Sequence, residues 1–349
     1  MTLSSVSTFT LGISTLESIH RIQTALSQDQ VEATTGQYAD LGLQLGEQAG
    51  FELSLRNQSD ALQALTSANS VISTNLTTTQ DALKSIAQGA QTTLQNLASW
   101  MPNQSSGVSL QSQGVNGLQQ LVSIVNTTSN GQYVFAGQNV SVPPMSDYSS
   151  SSPGMTAINQ AFQATFGMSL NSQGVSAISP SALQNFLSGA FASLFQGASW
   201  SQNWSSASST NSTAQVAPGQ TVETTTSANQ PGVQEITQAY AMLAAFGGAS
   251  LNTSAQQAVV SAASSLLGKG LNDITSTQAS IGTVQNQITD ANNMMASQLT
   301  LIQTQIGNLD NVDSAQVATN LNTLSTQLQT AYQLTAQLQK MTLAQYLLP

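Results

Sequence analysis

Apolar residues recur at alternating steps of three and four along two long stretches of this chain, one near each end. A 3–4 repeat keeps apolar side chains on one stripe of a helix, and another helix must lie along that stripe to bury it. The two stretches therefore predict long helices that pack against each other, so that the chain folds back on itself. The alternative is two unrelated helical bundles. The N-terminal seam consists of Leu62, Leu65, Asn69, Ile72, Leu76, Thr79, Leu83, Ile86, Ala90, Thr93 and Leu97, and the C-terminal seam of Leu299, Ile302, Ile306, Leu309, Val317, Leu321, Leu324, Leu328, Ala331 and Leu338.

Breaks in the helical pattern separate the seams from their neighbours. Four glycines between residues 36 and 52 predict a loop or broken turn, and Pro102 to Gly107 predicts the end of the first long helix. A second helix is expected to end near Ser129, where Asn130-Gly131 opens an extended segment. The pattern resumes at Val233, and we expect a long helix to begin near Ser254, with that serine as its N-cap, and to break at 310–314.

Residues 138–231 differ from the rest of the chain because they hold most of the prolines and a Ser/Thr-rich stretch. Phenylalanines at helical spacing predict small helices in this insert, and residues 220–226 predict a strand. Trp200 and Trp204 are expected to close a small core rather than to form a sugar-binding platform. The fold class is therefore mainly α, a long antiparallel bundle of the N- and C-terminal regions with a small mixed α/β insert.

The composition is typical of a subunit that packs side by side with other subunits. Only 6% of the residues are charged, against about a quarter in typical soluble proteins. The net charge is −10 and the five basic residues are scattered, which excludes a nucleic-acid surface. No stretch approaches the roughly 18 apolar residues of a membrane span, and residues 1–6 lack a secretion signal, so we expect no membrane insertion and, if the protein is exported, no signal cleavage.

The two ends have too few apolar residues to offset the entropy of ordering them alone. We therefore expect residues 1–35 and the last thirty or so residues to be disordered until neighbouring subunits cover them. Both termini are predicted to be assembly elements.

Residues suited to catalysis are scarce. The chain has one histidine, His20, which we expect on a polar helix face, and no cysteine. No nucleotide, hydrolase or metalloprotease motif is present, so we predict no catalytic, cofactor-binding or metal-binding residues and no cofactor. An enzyme would need two of Asp147, Glu223 and Glu235 to converge as a carboxylate pair.

Three segments resemble bacterial flagellins and hook–filament junction proteins: residues 33–42, residues 130–137, and the run from Leu309 to Leu347. The step Tyr133-x-Phe135-Ala136-Gly137 is similar to the hook-associated protein 3 branch rather than to bulk filament flagellin. Gln278 to Gly282 resembles a family motif that usually begins with arginine. The charged loop common in the family is replaced here by residues 36–46, a form similar to the alphaproteobacterial branch.

This resemblance implies three domains: terminal helices 1–35 with 315–349 as an inner tube, a helical rod of 36–137 with 232–314, and the surface insert 138–231. It also implies export, without signal cleavage, through the flagellar type III system to the extracellular flagellum. The expected partners are other copies of the chain, flagellin, a neighbouring hook-associated protein and an export chaperone. We predict that Ile19, Ile22, Leu26, Leu324, Leu328, Leu338 and Leu343 pack between subunits.

The sequence thus favours a structural, non-enzymatic subunit that polymerises between hook and filament through its terminal helices. A filament flagellin is the nearest alternative. A secreted adhesin or type III translocator, in which the insert would recognise the target, is a more distant one.

Overall fold

The computed structural model describes residues 8–100 and 109–347, with side chains described for 12–100 and 109–340. Helices and two short antiparallel hairpins make up this part of the chain, as the sequence predicted for the fold class. The predicted break at Pro102 to Gly107 lies outside the described residues. The helices are α1 (Thr8–Thr35), α2 (Leu41–Leu45), α3 (Ala49–Ala98), α4 (Leu110–Val125), α5 (Pro153–Phe166), α6 (Pro180–Phe186), α7 (Gly197–Asn203), α8 (Pro231–Phe246), α9 (Thr253–Asp310) and α10 (Ser314–Leu347), and the strands are β1 (Thr128–Ser129), β2 (Gln132–Tyr133), β3 (Thr213–Ala217) and β4 (Gln220–Glu223).

The chain divides into two compact units. The terminal unit comprises residues 1–63 and 296–349, and the middle unit comprises residues 64–295. The three-domain division expected from the sequence remains a prediction.

In the middle unit, the N-terminal seam on α3 is buried or half-buried throughout. Several hydrogen bonds join α3 to α9, among them those from Gln80 Nε2 to the Gln278 carbonyl at 2.7 Å and from Asn69 Nδ2 to Asn292 Oδ1 at 2.8 Å. The residue nearer the start of α3 meets the residue nearer the end of α9, so the two helices are antiparallel, as predicted for the fold class. These partners on α9 precede the C-terminal seam, which begins at Leu299.

Helices α4 and α8 cross in close contact inside the middle unit. A Cβ atom on Gly114 would lie 2.6 Å from the Tyr240 carbonyl oxygen, and one on Gly117 would overlap the Tyr240 ring. Only glycine permits this approach of the two backbones. Helix α8 is buried on nearly every side, which explains why its sequence is apolar around its circumference.

An aromatic core fills the insert. Phe162 on α5 meets Phe186 on α6 edge to face at 5.7 Å between ring centroids, and Phe246 from α8 lies 5.8 Å from Phe162. Trp204 stacks on Phe195 at 5.0 Å. Trp200 and Trp204 are 2% and 6% exposed, so the prediction that they close a small core is confirmed.

The start of α9 corrects one local prediction. Helix α9 begins at Thr253, and Asn252 rather than Ser254 caps it, because Asn252 Oδ1 accepts a hydrogen bond from the Ala255 amide at 2.9 Å. The Asn252 Nδ2 group also donates to the Ile178 carbonyl at 2.8 Å. The cap therefore ties α9 to the insert as well.

In the terminal unit, α1 packs along α10. Ile19 and Val317 are buried, and Gln23 Nε2 donates to Tyr332 Oη at 2.9 Å. The expectation of disorder was therefore wrong for the described part of both termini. That expectation compared the entropy of ordering each end with the burial available to that end by itself, whereas the apolar stripes of α1 and α10 cover each other in part.

Candidate assembly site

The predicted contact residues lie on the two paired terminal helices. Ile19 on α1 is 6% exposed, so most of its surface is already covered within the chain. The others with described side chains are half-buried, namely Ile22, Leu26, Leu324, Leu328 and Leu338. Leu343 is among the residues whose side chains are not described. The stripes therefore face each other in part, and each keeps apolar surface for a further partner.

Sequence reasoning missed a second set of apolar residues in the terminal unit. These side chains lie off the seams, and the structure leaves each of them well exposed. Leu43 is 81% exposed, and Phe51, Leu53 and Leu301 are each more than half exposed. The signal that could have found them is an apolar residue on the face that should be polar. The full set is Ile13, Val31, Leu43, Phe51, Leu53, Leu301, Tyr332 and Leu334.

The segment Tyr133–Gly137 connects β2, the second strand of the first hairpin, to the insert. Tyr133 is half-buried in β2, while Phe135 and Ala136 are completely buried. The Phe135 carbonyl accepts a hydrogen bond from the Ala228 amide at 2.7 Å, just before α8 begins. The chain therefore enters and leaves the insert side by side at this segment.

Two further main-chain bonds hold the same segment. The Ala136 carbonyl accepts from the Ser208 amide at 3.0 Å, and the Gly137 amide donates to the Thr226 carbonyl at 3.0 Å. Gly137 has φ +60°, and a Cβ there would lie 2.8 Å from the Thr210 carbonyl oxygen. Glycine is required by both the backbone conformation and the lack of space.

The three acidic residues that a carboxylate pair would use have different partners. Glu223 Oε2 accepts from Asn211 Nδ2 at 2.9 Å, whereas Glu235 interacts with Asp273 and Lys269, and Asp147 is exposed. Burial, followed by the nearby Asp273 carboxylate, raises the pKa of Glu235. The charge of Glu235 is therefore disfavoured in the folded chain.

A cavity of about 350 Å³ lies between β4, the start of α8 and α9. Glu223 and Asp273 line it together with Thr225, Ser276 and Ile281. His20 is exposed on α1, as expected for a residue of the polar face. Within residues 12–100 and 109–340, no group of three His, Asp or Glu side chains is arranged to hold a metal ion. None of the helices in the same ranges is both long and apolar enough to cross a membrane.

These observations define a class of protein: a helical subunit whose two ends pair and leave apolar surface for other copies. Two family models match the chain, and together they cover more than half of it. The bacterial flagellin N-terminal helical region matches residues 6–140, and the bacterial flagellin C-terminal helical region matches residues 264–347. The chain belongs to the bacterial flagellin family.

Membership makes the protein a structural subunit of the extracellular flagellum, which polymerises with itself and other axial proteins. The matched N-terminal region includes Tyr133–Gly137 and ends soon after it. The insert lies almost entirely in the unmatched part between the two models. A search of curated proteins finds no match to the chain.

Proposed function

We propose that this chain is the hook–filament junction subunit, of the hook-associated protein 3 branch and the alphaproteobacterial type. The observation that carries the proposal is the sequence Tyr133-Val134-Phe135-Ala136-Gly137, which is similar to that branch. Residues 36–46, in place of the charged loop common in the family, support the alphaproteobacterial type.

The geometry of Tyr133–Gly137 agrees with a junction role. A subunit that joins two helical lattices of different mechanics would benefit from an outer domain that is held firmly on its helices. The Phe135 and Ala136 carbonyls accept main-chain hydrogen bonds, the Gly137 amide donates one, and a side chain at Gly137 would overlap its neighbours, so the insert is held in this way.

In this proposal the chain has three domains in the assembled flagellum. Residues 1–35 with 315–349 form the inner tube, residues 36–137 with 232–314 form the rod, and residues 138–231 form the outer surface. The half-buried stripes on α1 and α10 support this placement of the termini, since their remaining apolar surface needs a cover. Ile19, Ile22, Leu26, Leu324, Leu328, Leu338 and Leu343 then pack between subunits.

The route and the partners follow from the same proposal. The chain passes unfolded, with an export chaperone, through the flagellar type III system and keeps its N-terminus uncleaved. A chain without cysteine suits this route, because no disulfide has to be broken or reformed. At its destination it contacts copies of itself, flagellin and a neighbouring hook-associated protein.

Immunogold labelling of intact flagella with antibody against residues 138–231 tests the proposal. A narrow band at the distal end of the hook is the expected result. Label along the whole filament would make the chain a filament flagellin, and the junction role would be wrong. A shed, monomeric product that binds host cells would instead favour the secreted adhesin or translocator.

A further inference from the structure

Two short segments of the terminal unit pair where the chain turns between helices. Residues 36–40 connect α1 to α2, and residues 311–313 connect α9 to α10. The Tyr38 amide donates to the Asp310 carbonyl at 2.9 Å, and the Val312 amide donates to the Gly36 carbonyl at 3.0 Å. We call these two segments, joined by this antiparallel bridge, the crossover joint.

A buried ion cluster lies against the crossover joint. Arg56 on α3 binds Glu52 through Nε and Asp310 through Nη2. The Asp310 side chain is completely buried and Glu52 is 7% exposed, whereas Arg56 keeps 45% of its side-chain surface exposed. Arg56 therefore compensates two carboxylates that have little access to water.

Asp310 links the cluster to the joint. Its carboxylate binds Arg56, and its carbonyl receives the Tyr38 amide. The second carboxylate oxygen, Oδ1, is buried without a hydrogen-bond partner. Without the guanidinium, Asp310 would hold an uncompensated charge, and the local backbone would have to shift to let water reach it.

We propose that Arg56 is a positioning residue for assembly: through Glu52 and Asp310 it fixes the crossover joint, and with it the direction in which α1 and α10 leave that joint. Both terminal helices start or end within a few residues of the joint. A change of backbone angle there is carried along the 28 residues of α1 and the 34 residues of α10. The inference rests on the assembly role of the terminal helices and holds for a junction subunit and for a filament subunit alike.

The test uses full-length chains co-expressed with wild-type chain, and mass spectrometry of purified flagella measures the incorporated fraction of each. Arg56→Met is the main variant and Lys84→Met the control, because Lys84 is an exposed cationic residue of the middle unit and is not part of α1 or α10. We expect Arg56→Met to be incorporated at least about fivefold less than Lys84→Met. Arg56→Lys should rescue part of the loss, since one ammonium replaces two separate guanidinium contacts imperfectly.

A double-mutant cycle with Asp310→Asn identifies the mechanism. If Arg56 acts by compensating Asp310 as well as Glu52, then Arg56→Met in the Asp310→Asn background should reduce incorporation by about twofold rather than about fivefold, because only the Glu52 carboxylate then loses its guanidinium. Equal incorporation of Arg56→Met and Lys84→Met would overturn the inference, as would a loss that is unchanged in the Asp310→Asn background.

Hydrogen exchange on flagella from cells that express only one variant, without wild-type chain, separates positioning from general destabilisation. Peptides covering residues 36–40 and 311–313 should exchange at least about tenfold faster in Arg56→Met than in Lys84→Met. Peptides of α8 should be unchanged, and acceleration there to the same degree would contradict a positioning role. Incorporation is measured wherever the chain lies on the flagellum. The incorporation test can therefore contradict the role of Arg56 while the junction proposal holds, and immunogold labelling can contradict the junction proposal while the role of Arg56 holds.

Discussion

The middle unit buries most of its large apolar side chains, whereas the terminal unit leaves many of them exposed. In the middle unit, large side chains such as Phe162, Phe191 and Phe246 are completely buried. In the described part of the terminal unit, the buried apolar side chains are Ile19, Leu55, Leu62, Ile302 and Val317. Phe51 and Leu53 in the same unit are 56% and 58% exposed.

The difference shows where each unit obtains its stability. Burial of apolar surface contributes about 25 cal/mol per Å², so the middle unit has a core of its own, whereas the terminal unit leaves much of this free energy to contacts with other molecules. In a subunit that polymerises, this division is functional. The middle unit has its own buried core, and we expect the terminal unit to gain most from assembly.

The largest effect on stability is expected from Phe162→Ala in the middle unit. Phe162 packs against Phe166, Phe186 and Phe246, and its removal should lower the free energy of unfolding by about 3–5 kcal/mol. The matched control, Phe51→Ala, should change it by less than about 0.5 kcal/mol because Phe51 is exposed. Urea unfolding followed by tryptophan fluorescence measures the Phe162→Ala loss, since Trp100, Trp200 and Trp204 all belong to the middle unit, and far-UV circular dichroism, which reports the helices of both units, measures the Phe51→Ala change. Equal losses of unfolding free energy for Phe162→Ala and Phe51→Ala would contradict the contrast between the two units.

Gly137→Ala should have the next largest effect, through the attachment of the insert. Left-handed backbone strain of about 1–2 kcal/mol and a steric overlap of about 1–3 kcal/mol add to a loss of roughly 2–5 kcal/mol. Gly131→Ala is the control, because Gly131 has φ +78° but open space around it, and should cost the strain alone. The same fluorescence transition reports both, and similar costs for the two variants would show that the overlap is relieved.

Leu338→Asp should separate assembly from folding. Leu338 is half-buried on α10, so the loss of free energy in the isolated chain is expected to be about 1 kcal/mol. Assembly should be abolished, because a carboxylate would replace apolar surface between subunits. Gln337→Asp, on the exposed side of the same helix, is the control. Sedimentation measures the polymer, and far-UV circular dichroism of the monomer, which reports the helices of both units, measures the stability. A Leu338→Asp chain that still assembles would refute the assignment of contacts.

Glu235→Gln should have the smallest effect and one that depends on pH. The pKa of Glu235 is raised on folding, so the folded chain binds this proton more tightly than the unfolded chain. The wild type therefore loses stability as the pH rises through the folded-state pKa of Glu235, and the glutamine variant does not. At pH 7 we expect the free energy of unfolding of the Glu235→Gln variant to exceed that of the wild type by less than about 1 kcal/mol after solvent screening. This difference should disappear below the unfolded-state pKa of Glu235. Thermal unfolding at pH 4 and pH 7 checks this, with Asp147→Asn as the control. A gain of equal size at both pH values would show that the effect is not protonation.

Local pattern was sufficient for much of the fold. The seams predicted α3 and the bundle, the phenylalanine spacing predicted α5 and α6, and the run from Asp310 to Ser314 predicted the break between α9 and α10. These features depend on neighbours a few residues away, whose periodicity is visible in the sequence. The resemblance at Tyr133–Gly137 also located the segment where the insert joins the helices.

The candidate assembly site was predicted only in part. The stripes of α1 and α10 were found from their spacing, but the exposed Leu43, Phe51 and Leu53 were not, because periodicity does not reveal which faces remain uncovered. The disorder expected for the termini was wrong since the sequence does not state that α1 and α10 cover each other.

The sequence by itself determined which long stretches are helical, that the chain breaks between α9 and α10, and that both ends carry apolar stripes, because these properties follow from residues close together in the chain. Only the tertiary structure decided which stripe meets which, that Asn252 caps α9, and that Arg56 reaches Asp310 across 254 positions. These contacts depend on how distant segments come together, and the free energy of each is set by burial that no local pattern records.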